Sequence, residues 1–317
     1  MKVLVLTTSY PPQGGSFVAA SVDAARSRGI EVEVVSPASF RHFGIAGGHG
    51  VVANLRARPW LALLVPALLW NMRRAAARVD AELVHAHWLP AGLVAATLRK
   101  PYLVQPWGTD VALLGRLPWR FRNVLAASPF LAGELGGGRV VPTPVPIPDR
   151  VVEPDEPPHA LFAGRLSPEK GIAEFLAATE GLPRVVVGGG PVDVPEGLGP
   201  VDDVGPFYDR AAVVVVPSRR EGYGMVAREA MARGRAVVAT AVGGLRDAIE
   251  DGVDGLLVPP GDGAALRAAV ERLLGDRELR VRLGAAARAK AEREWSVEAA
   301  ASALQNAYRA VQYDGRR

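Results

Sequence analysis

Cysteine is absent from the 317 residues, so disulfides and thiolate metal sites are excluded, which fits a reducing interior. Long apolar runs are missing too. The longest, residues 60–70, is about half of what a membrane span requires. No secretory leader is legible: MKVLVLTTSYPP holds one lysine and a short apolar run that closes in a proline turn, and it is read as a first strand. A cytoplasmic protein is expected. Zinc-finger spacings and RNA-binding aromatic motifs do not occur, so nucleic acid is not expected as a partner. No metal-ligand cluster stands out, and no metal is expected. The turn GGGP after residues 185–187 lacks the G-x-G-x-x-G of a dinucleotide fingerprint.

What is present is 49% apolar content, enough for two cores over a length that allows about two domains. Charge is divided unevenly. Residues 1–150 hold 16 Lys and Arg against 8 Asp and Glu, whereas residues 151–317 hold 21 against 25. A basic first half suggests an anionic partner, a membrane surface or a charged acceptor; an Arg-rich surface from biased composition fits equally. Within it, residues 54–78 set Trp60, Trp70 and many leucines between arginines. Two readings stand: a peripheral anchor on an anionic membrane, or a core helix interrupted at Pro66. Residues 142–158 contain seven prolines in seventeen positions, a semi-rigid connector. The boundary is placed there, with one domain over 1–150 and a second over 151–296.

Short β-branched runs alternate with helical segments in both halves, which predicts α/β domains with mostly parallel sheets. Strands are expected at residues 3–6, 31–36, 82–85, 102–105, 160–163, 185–187, 211–218, 236–240 and 256–258. After the first strand, Gly14 and Gly15 let a backbone approach a phosphate or a sugar. Loop 40–50 shows no chemistry and is expected to be mobile. His85 and His87 are read as pointing to opposite faces of their strand, a poor metal pair with structural roles. Helices 277–294 and 297–311 have mixed faces and are read as surface helices.

The stretch 219–233, RREGYGMVAREAMAR, carries the chemistry. Glu221 and Glu229, eight residues apart, flank a Gly-Tyr-Gly turn between a buried strand and a helix starting at Met225. Gly222 and Gly224 free the turn, and the helix begins with unpaired N–H groups beyond the strand's end, an anion site. Phosphate would take those N–H groups, leaving the carboxylates to hold sugar and ribose hydroxyls. A solvated loop glutamate and an exposed helix glutamate are the plain alternative. In GRLSPEKG, Arg165 and Lys170 stand near another helix start and suit a diphosphate clamp.

EGYGMVAREAMARGRAVVATAVGG with DAIEDGVDGLLVPPGD, joined by FAGRLSPEKG, VVVGGGP and PSRREGYG in that order, resembles the signature half of the retaining glycosyltransferase family four, group 1 enzymes of the GT-B fold. The resemblance implies two Rossmann-like domains facing each other across a cleft, the last helix (297–317) crossing back to the first domain at a bend marked by Trp295. It implies sugar transfer from a nucleotide-diphosphate donor to an acceptor, with retention. Arg165, Lys170, Gly15, Gly224 and Met225 would then bind the donor diphosphate. Glu229, Glu221 and Tyr223 would bind ribose and sugar, and the base would lie near residues 201–204. PWGTDV resembles the family's motif in which histidine precedes Gly-Ser/Thr-Asp. Asp110 keeps its place, while Trp107 stands where a histidine contacts the donor sugar; its ring could stack on a sugar face and its N–H could donate. Glu221, Asp110 and Trp107 are thus the candidate catalytic residues.

On this reading the nucleotide sugar is a substrate and no cofactor is needed. The acceptor is soluble or membrane-linked, the enzyme cytoplasmic or at the membrane's inner face. Two rival readings are a GT-B sugar-nucleotide epimerase and a non-catalytic nucleotide-sugar-binding protein.

Overall fold

Valine and leucine run without alternation through the strands because both faces of each sheet are covered, as parallel sheets require. In the computed structural model, residues 1–11, 16–46, 51–107, 110–111, 121 and 123–314 are described. The chain divides into two units, Met1–Pro144 with Val297–Arg317, and Val145–Ser296.

In the first unit the order is β1 (Lys2–Thr7), α1 (Ser16–Ser27), β2 (Glu31–Val35), α2 (Val51–Ala57), α3 (Val65–Ala76), β3 (Leu83–His87), α4 (Leu89–Ala95), β4 (Tyr102–Gln105), β5 (Leu125–Ala126), α5 (Pro129–Glu134) and β6 (Arg139–Val140). Strands pair in parallel in the order β2-β1-β3-β4. One face carries Val3, Val5 and Leu83 towards α1; the other packs Leu4, Leu6 and Val84 against Met72 of α3 and Ala91 of α4.

Three expectations change here. Pro66 does not interrupt a helix but sits at the start of α3, where its missing N–H would be unpaired anyway. In loop 40–50, Ile45 and Ala46 are buried against Leu61 and Leu68, so this part is packed, while residues 47–50 lie outside the described residues. His85 and His87 share a face of β3, their rings 4.2 Å apart between centroids. Strand side chains repeat every second residue, so positions i and i+2 lie together.

The second unit runs β7 (Ala160–Ala163), α6 (Ile172–Ala178), β8 (Arg184–Val187), α7 (Gly205–Arg210), β9 (Val213–Val216), α8 (Met225–Ala232), β10 (Ala236–Thr240), α9 (Gly244–Ala248), β11 (Leu256–Val258), α10 (Gly263–Gly275) and α11 (Arg277–Glu294). Its five strands are parallel in the order β11-β10-β9-β7-β8. The chain steps outward from β7 to β8, then back to β9 on the other side of β7. Beyond the strand ends at that reversal lies the usual crevice for a ligand in an open α/β sheet.

Helix α11 is not a surface helix: it buries Leu279, Leu283, Ala287 and Ala291. Its Gly284 admits the backbone of Gly234, whose carbonyl oxygen would overlap a Cβ at position 284. The last helix, α12 (Val297–Asp314), belongs to the first unit and lies along α1. It buries Ala300, Ala301, Leu304, Ala307, Tyr308 and Val311, a stripe at helical spacing. Alanine makes half of this stripe, which is why a reading weighted on large side chains sees mixed faces.

Candidate functional site

The reversal point of the second unit is built by glycines that allow backbones to touch. Gly171, at φ 74°, closes the turn after β7 and abuts the Pro217 carbonyl, which a Cβ would overlap. This close approach pins the β7 loop to the β9 loop, and Arg219 N–H donates to the Glu169 carbonyl at 2.9 Å. Lys170 is thereby brought to Glu221, with Nζ 2.6 Å from Oε2, and Ser218 Oγ donates to the same oxygen at 3.4 Å. Both charged groups keep partial solvent access, the lysine 28% and the glutamate 15% exposed.

After Glu221 the chain turns through Gly224, whose φ of 81° suits glycine, into the N-terminus of α8. Gly244 N–H donates to the Glu221 carbonyl at 2.9 Å and so holds the turn from β10's side of the sheet. Met225 begins α8, and its N–H and the next ones have no partner within the helix. Glu229 sits one turn further, with burial raising its carboxyl pKa and Tyr208 donating to Oε2 at 3.0 Å.

Tyr223, expected to bind the donor, lies in the turn itself. It is buried, and the Arg228 guanidinium lies 3.9 Å over its ring and 4.7 Å from the ring of Trp295. This stack supports the turn from beneath. Arg228 gives no signal in sequence because its partners lie on separate elements. Arg165 is not beside Lys170's carboxylate partner; it is mostly exposed, 3.8 Å from Glu169. Gly15 lies outside the described residues.

In the first unit the ends of β3 and β4 gather polar and aromatic groups. Trp107 Nε1 donates to His87 Nδ1 at 3.2 Å, and the two rings are stacked 9° from parallel. The indole N–H expected for a sugar is therefore engaged within the unit, and the ring is only 9% exposed. With Nδ1 accepting, the proton of neutral His87 lies on Nε2, which is buried without a hydrogen-bond partner among the described residues. Burial holds the His87 pKa well below the ordinary value. His85 Nε2 donates to Gln105 Oε1 at 3.1 Å and Nδ1 accepts from Tyr308 at 2.8 Å, with burial lowering its pKa to about 4.

Asp110 Oδ2 accepts the Leu89 N–H at 2.8 Å and so caps the start of α4 from 21 residues away. Burial raises its pKa to about 6, with the Leu89 bond opposing. Within the first unit Trp107 is thus brought to His87, and Asp110 to the start of α4. The signal for His87 was the i, i+2 spacing with His85.

The description "Glycosyltransferase Family 4" matches residues 14–145, and "Glycosyl transferases group 1" matches residues 157–276. The chain belongs to the family 4, group 1 glycosyltransferases. Among relatives of the family, D-inositol 3-phosphate glycosyltransferase of Xylanimonas cellulosilytica is 37% identical over 180 residues, 49% of this chain and 43% of the relative. Alpha-D-kanosaminyltransferase of Streptomyces kanamyceticus is 32% identical over 50% of this chain and 47% of its own. The chain thus spans less than half the length of these curated relatives. Sucrose-phosphate synthase of Thermosynechococcus elongatus superposes with a TM-score of 0.82 at 22% identity, over 99% of both chains. HepE of Anabaena, solved with UDP-glucose, gives 0.69 at 19% identity over 99% of this chain and 100% of that one. These likenesses give the fold, the α/β GT-B arrangement of two Rossmann-like domains.

Proposed function

We propose that this family 4 member transfers a sugar from a nucleoside-diphosphate donor to an acceptor, with retention at the anomeric carbon and without a metal. The observation that carries the reading is the Lys170–Glu221 pair, 2.6 Å apart, at the strand reversal in front of the N-terminus of α8. Cleaving the bond from the anomeric carbon to diphosphate builds negative charge on the leaving group and positive charge on the sugar. Lys170 and the α8 N–H groups supply positive charge for the first, the kind of preorganised stabilisation that dominates such steps, and Arg165 is an exposed cation on the same loop. Donor binding would draw Lys170 towards the phosphates and leave the Glu221 carboxylate free to hold sugar hydroxyls. Glu229, polarised by Tyr208, suits the ribose diol. The relatives' names support the class: two are glycosyltransferases, and HepE was solved with UDP-glucose. A UDP-type donor is therefore the first to test, with a small or lipid-linked hydroxyl acceptor and a cytoplasmic site of action.

Titration of the full chain with UDP, followed by donor turnover on an acceptor panel, tests this. Lys170→Ala should weaken UDP affinity by about tenfold or more, since a charge-assisted bond is lost. Unchanged affinity would remove the diphosphate from this site. Trp107 and Asp110, both engaged inside the first unit, favour one other reading, a nucleotide-sugar-binding protein without turnover. Donor bound but never consumed would select it.

A further inference from the structure

Between Glu33 and Asp80 the sequence has no acidic residue, yet it carries six arginines, Arg41, Arg56, Arg58, Arg73, Arg74 and Arg78. The same segment exposes two tryptophans and a leucine: Trp60 is 60%, Leu63 83% and Trp70 62% exposed. These are two of the six tryptophans in the chain, and indole is costly to leave in water.

The local backbone puts them on one side. Residues Pro59–Leu64 form a 3-10 helix, in which Trp60 and Leu63, one turn apart, are eclipsed. The chain runs directly on into α3, where Ala67, Trp70 and Arg74 continue from Leu63 at α-helical spacing. The opposite side of the same segment is anchored, with Leu61, Leu68, Met72 and Ala76 buried. Exposure of the tryptophans is therefore a feature of a fixed, two-sided element. Arg56 and Arg58 stand at its start, while Trp70, Arg73, Arg74, Ala77 and Arg78 line a concavity of about 330 Å³ at its end. Arg73 donates to Thr97 Oγ1 at 3.1 Å, and no carboxylate of the segment is there to neutralise the rest.

We propose that this face of the first unit docks on an anionic lipid surface, Trp60, Leu63 and Trp70 entering the headgroup layer and the flanking arginines meeting lipid phosphates. Charge complementarity selects the occupant: a stripe of indole and leucine between arginines that make no ion pair among the described residues fits an interface that is apolar below and negative above. No helix among the described residues is long and apolar enough to cross a membrane, so the contact lies in the plane of the interface. The inference is independent of the glycosyl transfer reading, because it needs neither donor nor acceptor.

Sedimentation of the full chain with vesicles tests it, comparing phosphatidylcholine alone with an equimolar mixture of phosphatidylcholine and phosphatidylglycerol. Binding is expected to the mixed vesicles only, weakening with salt. Arg73→Glu with Arg74→Glu should reduce it by roughly 25-fold or more, at about fivefold for each arginine near the surface. Trp60→Ser with Trp70→Ser should reduce it at least as far, with thermal unfolding and UDP affinity little changed because both side chains are mostly exposed. Equal binding to both vesicles, no binding to either, or binding indifferent to both double variants would overturn the proposal. So would a concentration-dependent dimer by analytical ultracentrifugation that Leu63→Glu dissolves, since the face would then meet a second copy of the chain.

Discussion

The two units share a scaffold and use it in opposite ways. In both, a parallel sheet reverses its strand order beside the first strand of the unit, β1 or β7, and polar residues gather beyond the strand ends. At β7 and β9 those residues are an ionised pair with solvent access, Lys170 and Glu221. Beyond β3 and β4 they are enclosed, and His85, His87 and Gln105, at most 1% exposed, carry no charge at neutral pH. An ionised pair kept partly wet remains free to exchange partners, whereas buried neutral groups are fixed by the bonds they make to each other. The second unit thus presents an ion pair, and the first presents shape with a donor, His87 Nε2, that has no partner among the described residues.

The sharpest test of this contrast is Glu221→Gln. If the pair is chemical equipment, donor turnover should fall by about 10²–10³-fold, the usual cost of losing one preorganised polar group at the reacting centre. Thermal unfolding should barely move, because the pair is partly exposed and contributes little to stability. A large loss of stability with normal turnover would make it a structural bridge instead.

Next in size is Gly171→Ala. A Cβ here overlaps the Pro217 carbonyl and strains a φ of 74°. Stability of the second unit should drop by about 2–4 kcal/mol in denaturant unfolding, through strain and displaced backbone. UDP affinity should fall with it, since Lys170 precedes this glycine. Loss of stability with full affinity would mean that the close approach of the two loops is not what places Lys170.

Acid separates the units at a smaller scale. His85 has its pKa lowered from 6.5 to about 4, so the unfolded chain takes up its proton first and the first unit loses stability as pH falls below 6.5. His87 acts in the same direction, each imidazole at ~1.4 kcal/mol per pH unit across its window. Asp110 opposes them: raised from 3.8 to about 6, its folded carboxyl binds a proton more readily, which restores some stability as pH falls from 6 towards 3.8. Glu229, also raised, gives the second unit this acid-favoured sign. Hydrogen-exchange protection factors at pH 7 and pH 5 should therefore fall for β1, β3 and β4 before β7, β9 and β10. Asp110→Asn should steepen the first unit's loss below pH 6.

Much of the scaffold was legible in the chain and part of the site was not, for a physical reason. Short apolar runs end at Pro106, Gly164 and Pro259, so β4, β7 and β11 could be bounded from local chemistry. Asp276 caps α11 by accepting the Leu279 N–H at 2.9 Å, and this fixes its start as plainly. Asp110 illustrates the opposite case. Its partner lies 21 residues earlier, so the bond it accepts from the Leu89 N–H leaves no signal in the local sequence. Arg228 likewise reads as a surface charge, yet its partners Tyr223 and Trp295 meet only once α8 and α11 are packed. Local signals give elements; contacts between elements decide what a polar side chain is for.

The smallest effect expected is also the most discriminating within the second unit. Glu229 must be ionised to accept two ribose hydroxyls, yet burial raises its pKa, and the bond from Tyr208 is what lowers it again. Tyr208→Phe removes one hydrogen bond, worth about 1 kcal/mol. At acidic pH more of Glu229 would then be protonated, so UDP affinity should weaken by about threefold to fivefold relative to the parent. As the pH rises and the carboxylate loses its proton in both proteins, the difference should narrow. Isothermal titration across this range separates two roles for the phenol. A gap that closes at high pH identifies a group holding charge on Glu229, and a gap of constant size identifies one that only shapes the pocket.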